Sequence, residues 1–419
     1  MFIYQQLYKT EYQKQNLIIP QILVLNVLTV YFTFNLVSTW QAMAEMDNVY
    51  GLADGNGEQA RRIYHQRYLD RALPDSRTFS NIHRRLVETG SVRKGTSEDK
   101  MLYINESNVK DILTWEKTFE AVEVAMKRLS SGQTVQMPRT HTIIPGSDNV
   151  LLTMPGYLKD EKFGALGCKL VTYFPGNPKR TEALPSINAN IMILDEATGI
   201  MKAVVAGTEI TTQRTSAASA VATKYLYVNQ GKACNILAIL GTGIQGRIHA
   251  EMFRHFFHFQ EIRLWNRTKE KAKSLAEELN RKFDTNVFKY YENNESCVRG
   301  ADVIVTTTAS PVHIVHYAWV KPGAHINAVG ASRNHFSELD EQLYRNSDLY
   351  LDSVETMKPE MAGLDMLTDS LRGEVGAVIN KMIPSSPNER PTIFNGGGMA
   401  VEDCAVGRAV YDLYHERKI

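Results

Sequence analysis

Short apolar runs alternate with longer amphipathic stretches between residues 233 and about 355 of this 419-residue chain. In the longer stretches apolar residues recur at the three- and four-residue spacing of a helix, whereas the short runs have the length of strands. The runs lie at 236–240, 261–265, 303–307, 325–329 and 349–351. Because strands that alternate with helices form parallel sheets, we predict an α/β fold with a Rossmann domain here.

A different pattern precedes this region, from residue 101 to about 215. Two apolar, strand-like runs flank the segment Glu-Ala-Thr-Gly at 196–199, which has the composition of a hairpin turn. Antiparallel pairing lies outside a parallel sheet, so the hairpin indicates a second, mixed αβ domain. This domain begins with a predicted helix at 118–129, since Phe119, Val122 and Met126 share one face.

The first 42 residues are apolar and aromatic, and residues 18–37 have the length of a membrane span. Polar residues and Pro20 interrupt that stretch, and its flanking positive charge is weak. We therefore expect residues 1–42 to be an apolar leader outside the fold, with a membrane role as the alternative.

Residues 43–96 predict a small all-α domain of three short helices, at 44–50, 58–68 and 76–89. The basic residues of the last helix, which suit the DNA-facing helix of a helix-turn-helix, are Arg77, His83, Arg84 and Arg85. The segment also resembles the helix-turn-helix domain at the start of many transposable-element proteins, through VYG, GNG, RRIYHQRY and PDSRTFSNIHRRLVETGSV. DNA is thus a candidate partner. The alternative is a fragment without a remaining function, because one basic helix makes few phosphate contacts.

Composition limits the other classes of function. The net charge of +1 creates no global field that would attract nucleic acid or a membrane. The four cysteines, Cys168, Cys234, Cys297 and Cys404, form no CxxC pair and no cluster with histidine. We therefore expect neither a metal site nor disulfides, and a reducing, cytoplasmic location.

The sharpest motif is a glycine-rich turn between the run at 236–240 and a predicted helix. Gly241, Gly243 and Gly246 have the G-x-G-x-x-G spacing of a dinucleotide-binding loop. The first glycine permits the turn, the second lets the backbone approach a pyrophosphate, and the third lets helix and strand pack closely. The N–H groups at the start of the helix would then face the phosphates.

The end of the next strand favours NADPH over NADH. NAD enzymes usually place a carboxylate there for the ribose 2′-hydroxyl. This chain has Asn266-Arg267-Thr268 instead. Arg267 can pair with a 2′-phosphate, and Asn266 and Thr268 can form hydrogen bonds to it. The alternative for Arg267 is a solvated charge at a helix start.

Three cations, Arg139, Lys169 and Arg214, lie beside apolar strands or at a helix start. A cation among apolar residues is costly unless it is paired. If the three converged on one pocket, they would hold a substrate carboxylate, with arginine as a bidentate donor. The alternative is three independent ion pairs.

Residues 101–419 resemble the ornithine cyclodeaminase and mu-crystallin family, and within it the mu-crystallin (ketimine reductase) branch. The matching segments include MPRT, KLVTYFP, RTSAASAVATKYL, LGTGIQGRIHAEMF, IRLWNRTKEKA, WVKPGAHINAVGASR and GMAVED. The resemblance implies a Rossmann domain at 221–384 inserted into a substrate and dimerisation domain at 101–220 plus 385–419. It also implies a homodimer.

The resemblance assigns roles to individual residues as well. Arg139, Lys169 and Arg214 match the catalytic site for the ligand carboxylate, and Glu374 falls where mu-crystallin has an acidic residue near its ligand. The implied cofactor contacts are Gly241, Gly243, Ile244, Gln245, Gly246, Asn266, Arg267, Thr268, Thr307, Val329, Ser332, Ser186 and Asn188.

Departures from the family pattern narrow the expected function. Cyclodeaminases carry an aspartate where this chain has Ser332, which disfavours cyclisation of ornithine with loss of ammonia. The mu-crystallin pattern Ser-His-Gln is here Ser186-Ile187-Asn188, and Gly396 replaces a serine, so contacts with cofactor or ligand differ there.

We therefore expect NADPH-dependent reduction of the C=N bond of cyclic ketimine carboxylates to cyclic amino acids. Three alternatives stay open. The first is an NADPH-regulated binder of thyroid-hormone-like (iodothyronine) ligands without turnover. The second is ornithine cyclodeaminase or amino-acid dehydrogenase activity, and the third is a DNA module that guides an attached enzyme.

Overall fold

The computed structural model describes residues 46, 49–50, 52–68, 74–89, 101–330, 338–358, 361, 365–385 and 389–417. The chain divides into two compact units, residues 1–100 and 101–419, and each is described by itself. The predicted leader at 1–42 and most of the predicted helix at 44–50 lie outside the described residues.

Two helices form most of the described part of the first unit. Helices α1 (Gly57–Arg67) and α2 (Ser76–Thr89) confirm the predicted helices at 58–68 and 76–89. The Asn56 side chain caps α1 by accepting hydrogen bonds from the N–H groups of Glu58 and Gln59. The small apolar core of this unit consists of Val49, Ala53, Ala60, Tyr64 and Phe79.

The second unit contains two sheets, and the first is mixed. Its strands are β1 (Leu102–Ile104), β2 (Thr134–Gln136), β3 (Thr140–Ile143), β4 (Val150–Leu158), β5 (Ala165–Tyr173), β6 (Ile187–Leu194) and β7 (Met201–Ala206). Their order is β1-β7-β6-β5-β4-β2, with β3 also paired to β4. The pairing of β6 with β7 is antiparallel, as the hairpin at 196–199 predicts. Only β1 and β7 pair in parallel within the described strands of this sheet.

Three helices accompany this part of the chain: α3 (Glu106–Ile112), α4 (Trp115–Ser130) and α5 (Thr208–Leu226). Helix α4 confirms the predicted helix at 118–129, and its apolar face, which includes Val122 and Met126, is buried. Helix α5 is buried on nearly all sides. It packs against α4 and against the first helix of the second sheet, so its side chains lie at the junction of the two sheets.

The second sheet confirms the Rossmann prediction. Its strands are β8 (Ile236–Leu240), β9 (Glu261–Trp265), β10 (Phe288–Tyr290), β11 (Val303–Thr306), β12 (His325–Ala328), β13 (Asp348–Leu351), β14 (Leu371–Glu374) and β15 (Thr392–Asn395). All described pairs are parallel, in the order β10-β9-β8-β11-β12-β15-β13-β14. The five runs predicted as strands correspond to β8, β9, β11, β12 and β13.

The helices of this part are α6 (Ile244–Phe257), α7 (Lys269–Lys282), α8 (Asn294–Val298), α9 (Glu341–Arg345), α10 (Val354–Met357), α11 (Asp365–Ser370), α12 (Val375–Ile379) and α13 (Ala400–Glu416). Helices α6 and α7 follow β8 and β9 as crossover connections between parallel strands. Among the described residues, no helix is both long enough and apolar enough to cross a membrane.

The boundary predicted at 384 needs a correction. Strand β15 lies between β12 and β13, so residues 392–395 belong to the second sheet and not to the first domain. The sequence hides this strand because it is only four residues long and completely buried, with Thr392 and Asn395 at its ends. The chain returns to the first domain with α13, which packs on β4 and β5.

Candidate active site

The glycine-rich turn after β8 has the geometry of a phosphate-binding loop. Gly241 has φ +107°, and its N–H donates to the carbonyl of Trp265 at the end of β9. A Cβ on Gly246 would lie 1.8 Å from the carbonyl oxygen of Gly241, so the helix can approach the turn only with glycine there. Gly243 is the N-cap of α6 and provides no side-chain cap, which leaves the first N–H groups of the helix for a ligand.

Two predicted cofactor residues fix this loop from neighbouring strands. The Thr307 hydroxyl, after β11, donates to the Gly241 carbonyl at 3.1 Å. The Asn266 side chain accepts from the Thr242 N–H at 3.2 Å and donates to the Thr268 carbonyl at 3.0 Å. Asn266 therefore joins the turn after β8 to the turn after β9, and leaves Arg267 exposed between them.

A cavity of about 490 Å³ opens beside the loop, between α6 and α7. Its lining includes Thr242, Gly243 and Ile244 from the loop side, and Lys271 and Ser274 from α7. The α7 side also contributes the acidic residues Glu270 and Glu278, of which Glu278 pairs with Arg247. The buried polar atoms Thr242 Oγ1 and Gln245 Oε1 have no hydrogen-bond partner among the described residues. The glycine loop and Lys271 thus fit a phosphorylated nucleotide, and the α7 contributors are not among the residues predicted from the sequence.

The predicted cations Lys169 and Arg214 meet at one carboxylate. Lys169 Nζ, on β5, lies 2.5 Å from Asp403 Oδ2, and Arg214 Nε, on α5, lies 3.2 Å from Asp403 Oδ1. Arg214 Nη1 is also 3.5 Å from Glu402 Oε2. Both cations are buried, so their charges depend on these partners.

The third cation, Arg139, reaches the same place through a glycine loop between β15 and α13. Its Nη2 donates to the carbonyls of Gly397 and Gly398. On its other side, Gly398 lies against Arg214, since a Cβ on this glycine would be 2.5 Å from Arg214 Nη1. The structure therefore brings the three predicted cations into one cluster.

Three buried carboxylates, Asp352, Glu402 and Asp403, balance this cluster. Asp352, after β13, accepts hydrogen bonds from the N–H groups of Gly398 at 2.6 Å and Ser353 at 2.8 Å. These three carboxylates are not among the predicted site residues, although GMAVED is one of the segments that carry the family resemblance. A signal for Glu402 and Asp403 is an acidic pair in the first turn of a helix that follows three glycines.

Burial shifts the pKa values within the cluster. The pKa of Glu402 is raised to about 8, mainly by burial. The positive charge of Arg214 opposes this shift, and the negative charge of Asp352 adds to it. Burial also raises the pKa of Asp352. Burial lowers the pKa of Lys169 to about 8, although Asp403 opposes this shift. Burial alone would lower the pKa of Arg214. The negative charges of Asp403, Glu402 and Asp352 have the larger, opposite effect, so the pKa is raised.

Other predicted residues have partners within the fold. The Glu374 carboxylate accepts from the Ser130 hydroxyl at 2.7 Å and from the Val354 N–H at 3.0 Å. Ser186 and Asn188 lie at the start of β6, where the Asn188 side chain donates to Pro185. Val329 follows β12, and its N–H donates to the Thr306 carbonyl. Ser332 lies outside the described residues, so its predicted contact stays a prediction.

Glu338 is a buried residue that the sequence analysis did not select. Its carboxylate accepts from the Thr306 hydroxyl at 2.7 Å, the Thr308 N–H at 2.6 Å, the Thr308 hydroxyl at 2.7 Å and the Gly330 N–H at 3.0 Å. Burial raises the pKa of Glu338, and these hydrogen bonds oppose that shift. Glu338 thereby fixes the ends of β11 and β12, beside the predicted cofactor residues Thr307 and Val329.

A dinucleotide-type loop and a buried cationic cluster thus occur in one unit of the chain. The family model for the ornithine cyclodeaminase/mu-crystallin family matches residues 98–418. The chain belongs to this family.

Proteins similar to this chain carry reductase and dehydrogenase names. The chain is 36% identical over 325 residues to ketimine reductase mu-crystallin of Macropus fuliginosus, which covers 77% of this chain and 97% of that protein. The structure of Thermococcus litoralis Delta(1)-pyrroline-2-carboxylate reductase, solved with NADH and L-proline, is similar with a TM-score of 0.68 and 28% identity. The match covers 76% of this chain and 99% of that chain. The structure of an archaeal alanine dehydrogenase dimer with bound NAD is similar with a TM-score of 0.68 and 25% identity. The match covers 76% of this chain and 97% of that chain.

Proposed function

We propose that this protein reduces the C=N bond of cyclic ketimine carboxylates to cyclic amino acids, with NADPH as the reductant. The observation that carries the proposal is the meeting of Arg139 and Arg214 at Gly398, with Lys169 joined to Arg214 through Asp403. Two relatives named for the reduction of ketimines or of Delta(1)-pyrroline-2-carboxylate support the same class of reaction.

The cations would position the substrate by its carboxylate. Arginine offers parallel N–H donors that match a carboxylate, and the carbonyls of Gly397 and Gly398 hold the guanidinium of Arg139 in place. Lys169 would bond the same carboxylate or donate a proton to the imine nitrogen. Its pKa of about 8 suits an acid that works near neutral pH, because burial makes its proton easier to release.

The glycine loop would hold the dinucleotide phosphates, and Asn266, Arg267 and Thr268 would contact the adenosine ribose. NADPH, when bound, supplies the hydride that forms the new C–H bond, while a proton adds to nitrogen and the oxidised dinucleotide is released. The preference for NADPH over NADH rests on Arg267, which is exposed, and on Lys271, which lines the neighbouring cavity.

We also propose a homodimer formed through the first sheet. The face of β5 and β6 that points away from the core carries four apolar, half-buried residues, Leu166, Leu170, Met192 and Leu194, beside the polar residues Thr172, Asn188 and Asn190. Partly covered apolar residues on one face of a sheet indicate an interaction surface. A similar solved structure, the archaeal alanine dehydrogenase, is named as a dimer.

A substrate panel tests the proposed reaction. The purified full chain would be offered five- and six-membered cyclic ketimine carboxylates, with and without ring sulfur, and NADPH or NADH. We expect oxidation of NADPH and formation of the cyclic amino acid with at least one of them. Oxidation with none of them would contradict the proposal, and tight binding of an iodothyronine without turnover would favour the ligand-binding alternative.

A further inference from the structure

The cationic cluster contains as many carboxylates as cations. Arg139, Lys169 and Arg214 carry three positive charges, and Asp352, Glu402 and Asp403 carry three negative charges when all are ionised. A fully ionised cluster is therefore neutral and gives a buried substrate carboxylate no net attraction. Because a buried unpaired charge is costly, one carboxyl group must carry a proton for the site to accept an anion.

The contacts distinguish the three carboxyl groups. Asp403 lies close to both Lys169 and Arg214, so its charge is compensated twice. Asp352 accepts two backbone N–H hydrogen bonds, which stabilise the ionised form. Glu402 is completely buried, and its nearest cation, Arg214, is 3.5 Å away.

The two oxygens of Glu402 are also unequal. Oε2 accepts from the Met399 N–H at 3.2 Å, whereas Oε1 has no hydrogen-bond partner among the described residues. An ionised carboxylate with an unsatisfied buried oxygen is unfavourable. Glu402 is thus the carboxyl group whose negative charge the fold compensates least.

We propose that Glu402 carries a proton when the substrate binds, so that Arg139, Lys169 and Arg214 present one net positive charge to its carboxylate. The inference rests on the proposed function, because it takes an anionic imine carboxylate as the ligand. Glu402 would be a positioning residue that acts through Arg214, and its ionisation would compete with binding of the substrate carboxylate.

Lys169 is a second group in the cluster that can titrate in the same pH range as Glu402, because burial lowers its pKa to about 8, so the contribution of Glu402 has to be measured by difference. Around Glu402 stand Arg214 on α5, Asp352 after β13 and Asp403 on its own helix. Strands β2, β4 and β6, which also pack against α13, contain no acidic or basic residue. The charged side chains of α4 are exposed or form ion pairs outside the cluster. For example, Glu123 pairs with Lys224, and Arg128 pairs with Asp160. On β5 the charged group is Lys169, and burial and Asp403 have opposite effects on its pKa.

The pKa of Glu402 sets the pH range in which the effect is measurable. Burial raises this pKa to about 8, with Asp352 adding to the shift, so the group is protonated at neutral pH and ionises at alkaline pH. Binding of a carboxylate should then require uptake of a proton at about pH 9, and almost none at about pH 6.5.

The test is calorimetric titration of the NADPH-loaded full chain with pyrrole-2-carboxylate, in two buffers of different ionisation enthalpy. This planar cyclic carboxylate lacks a reducible C=N bond, and its ring nitrogen does not titrate in this range. We expect at least about one proton taken up per ligand at about pH 9, and affinity at least about tenfold weaker there than at about pH 6.5.

Two variants assign the proton. Glu402→Gln mimics the protonated side chain, so at about pH 9 it should take up close to one proton fewer per ligand than the wild type and should bind about tenfold more tightly. Glu251→Gln, which replaces a buried glutamate paired with Lys282 on another helix, is the matched control and should behave as the wild type.

The outcomes separate this inference from the reductase assignment. Proton uptake as large in Glu402→Gln as in the wild type would place the proton on Lys169 or Asp352 and overturn the role of Glu402. Loss of binding at both pH values in a folded Glu402→Gln protein would overturn it too, because the ionised form would then be needed. A reductase whose affinity for pyrrole-2-carboxylate is independent of pH would contradict only this inference, whereas a protein without any ketimine turnover would contradict the proposed function.

Discussion

Gly398 lies directly against the guanidinium group of Arg214. The distance from a Cβ built on Gly398 to Arg214 Nη1 would be 2.5 Å, and the glycine has φ +79°. Two independent constraints therefore require glycine here: the left-handed backbone conformation, and the closeness of a buried charged side chain. The same residue accepts a hydrogen bond from Arg139, so its backbone sets the spacing of the two arginines.

We expect Gly398→Ala to impair substrate binding more than folding. The added methyl group must displace the Arg214 side chain, and a displacement of about 1 Å in a positioning residue can cost roughly 100-fold in rate. Steady-state kinetics with the best ketimine would show the loss in kcat/KM. Gly176→Ala is the control, because a Cβ there meets no atom within 4 Å and the backbone is helical. Wild-type kcat/KM in Gly398→Ala would contradict the positioning role of the loop.

Lys169→Met should abolish activity and destabilise the protein. The substitution keeps an unbranched side chain that is one atom shorter, but leaves Asp403 buried with Arg214 as its remaining ion-pair partner. Removal of one member of a buried pair typically costs about 3–5 kcal/mol. Denaturant unfolding would measure the free energy of unfolding, and the double variant Lys169→Met/Asp403→Asn should recover part of it but no activity. Equal stabilities of Lys169→Met and the wild type would contradict the pairing.

The sequence was sufficient for those features that local patterns encode. The strand-turn-helix around Gly241 and Gly246 was predictable because its glycine spacing reflects contacts within one short segment. The hairpin of β6 and β7 was predictable for the same reason. Arg139, Lys169 and Arg214 could be selected as cations beside apolar residues, and the structure confirms that they converge.

The carboxylates of the site could not be predicted in this way. Asp352 and the Glu402-Asp403 pair reach the cations because β15 lies between β12 and β13, which turns the start of α13 toward the first sheet. That placement depends on long-range pairing of a four-residue strand, whereas the boundary predicted at 384 assigns residues 392–395 to the other domain. Which partner compensates each buried cation is thus a property of the tertiary fold.

Stability should depend on pH through Glu402. Burial raises the pKa of Glu402 to about 8 in the folded protein, from 4.5 without the fold. Between these values the folded state binds more protons than the unfolded state, so the free energy of unfolding falls as pH rises. We expect the wild type to lose up to a few kcal/mol relative to Glu402→Gln from about pH 5 to about pH 8. Parallel curves for the two proteins in thermal or denaturant unfolding would contradict the raised pKa.

Leu170→Asp should weaken self-association. Leu170 is half-buried on the face of β5 opposite Lys169, where the proposed dimer contact lies. Burial of an unpaired carboxylate in an apolar interface costs several kcal/mol. Analytical ultracentrifugation should show a dimer for the wild type and monomer for Leu170→Asp, with Gln260→Asp on an exposed turn as the charge-matched control. A wild-type protein that is monomeric at every protein concentration measured would contradict the homodimer proposal.

Arg267→Ala should reduce the preference for NADPH over NADH. Arg267 follows β9 between Asn266 and Thr268, and its exposed side chain is free of the structural constraint that fixes Asn266. A charged hydrogen bond to a phosphate contributes about 1.5–3 kcal/mol, so kcat/KM with NADPH should fall roughly 10- to 100-fold while the value with NADH changes little. Lys273→Ala, an exposed cation on α7 outside the cavity lining, is the control and should leave both values unchanged. An equal decrease of kcat/KM with both cofactors would show that Arg267 stabilises the loop and does not bind the 2′-phosphate.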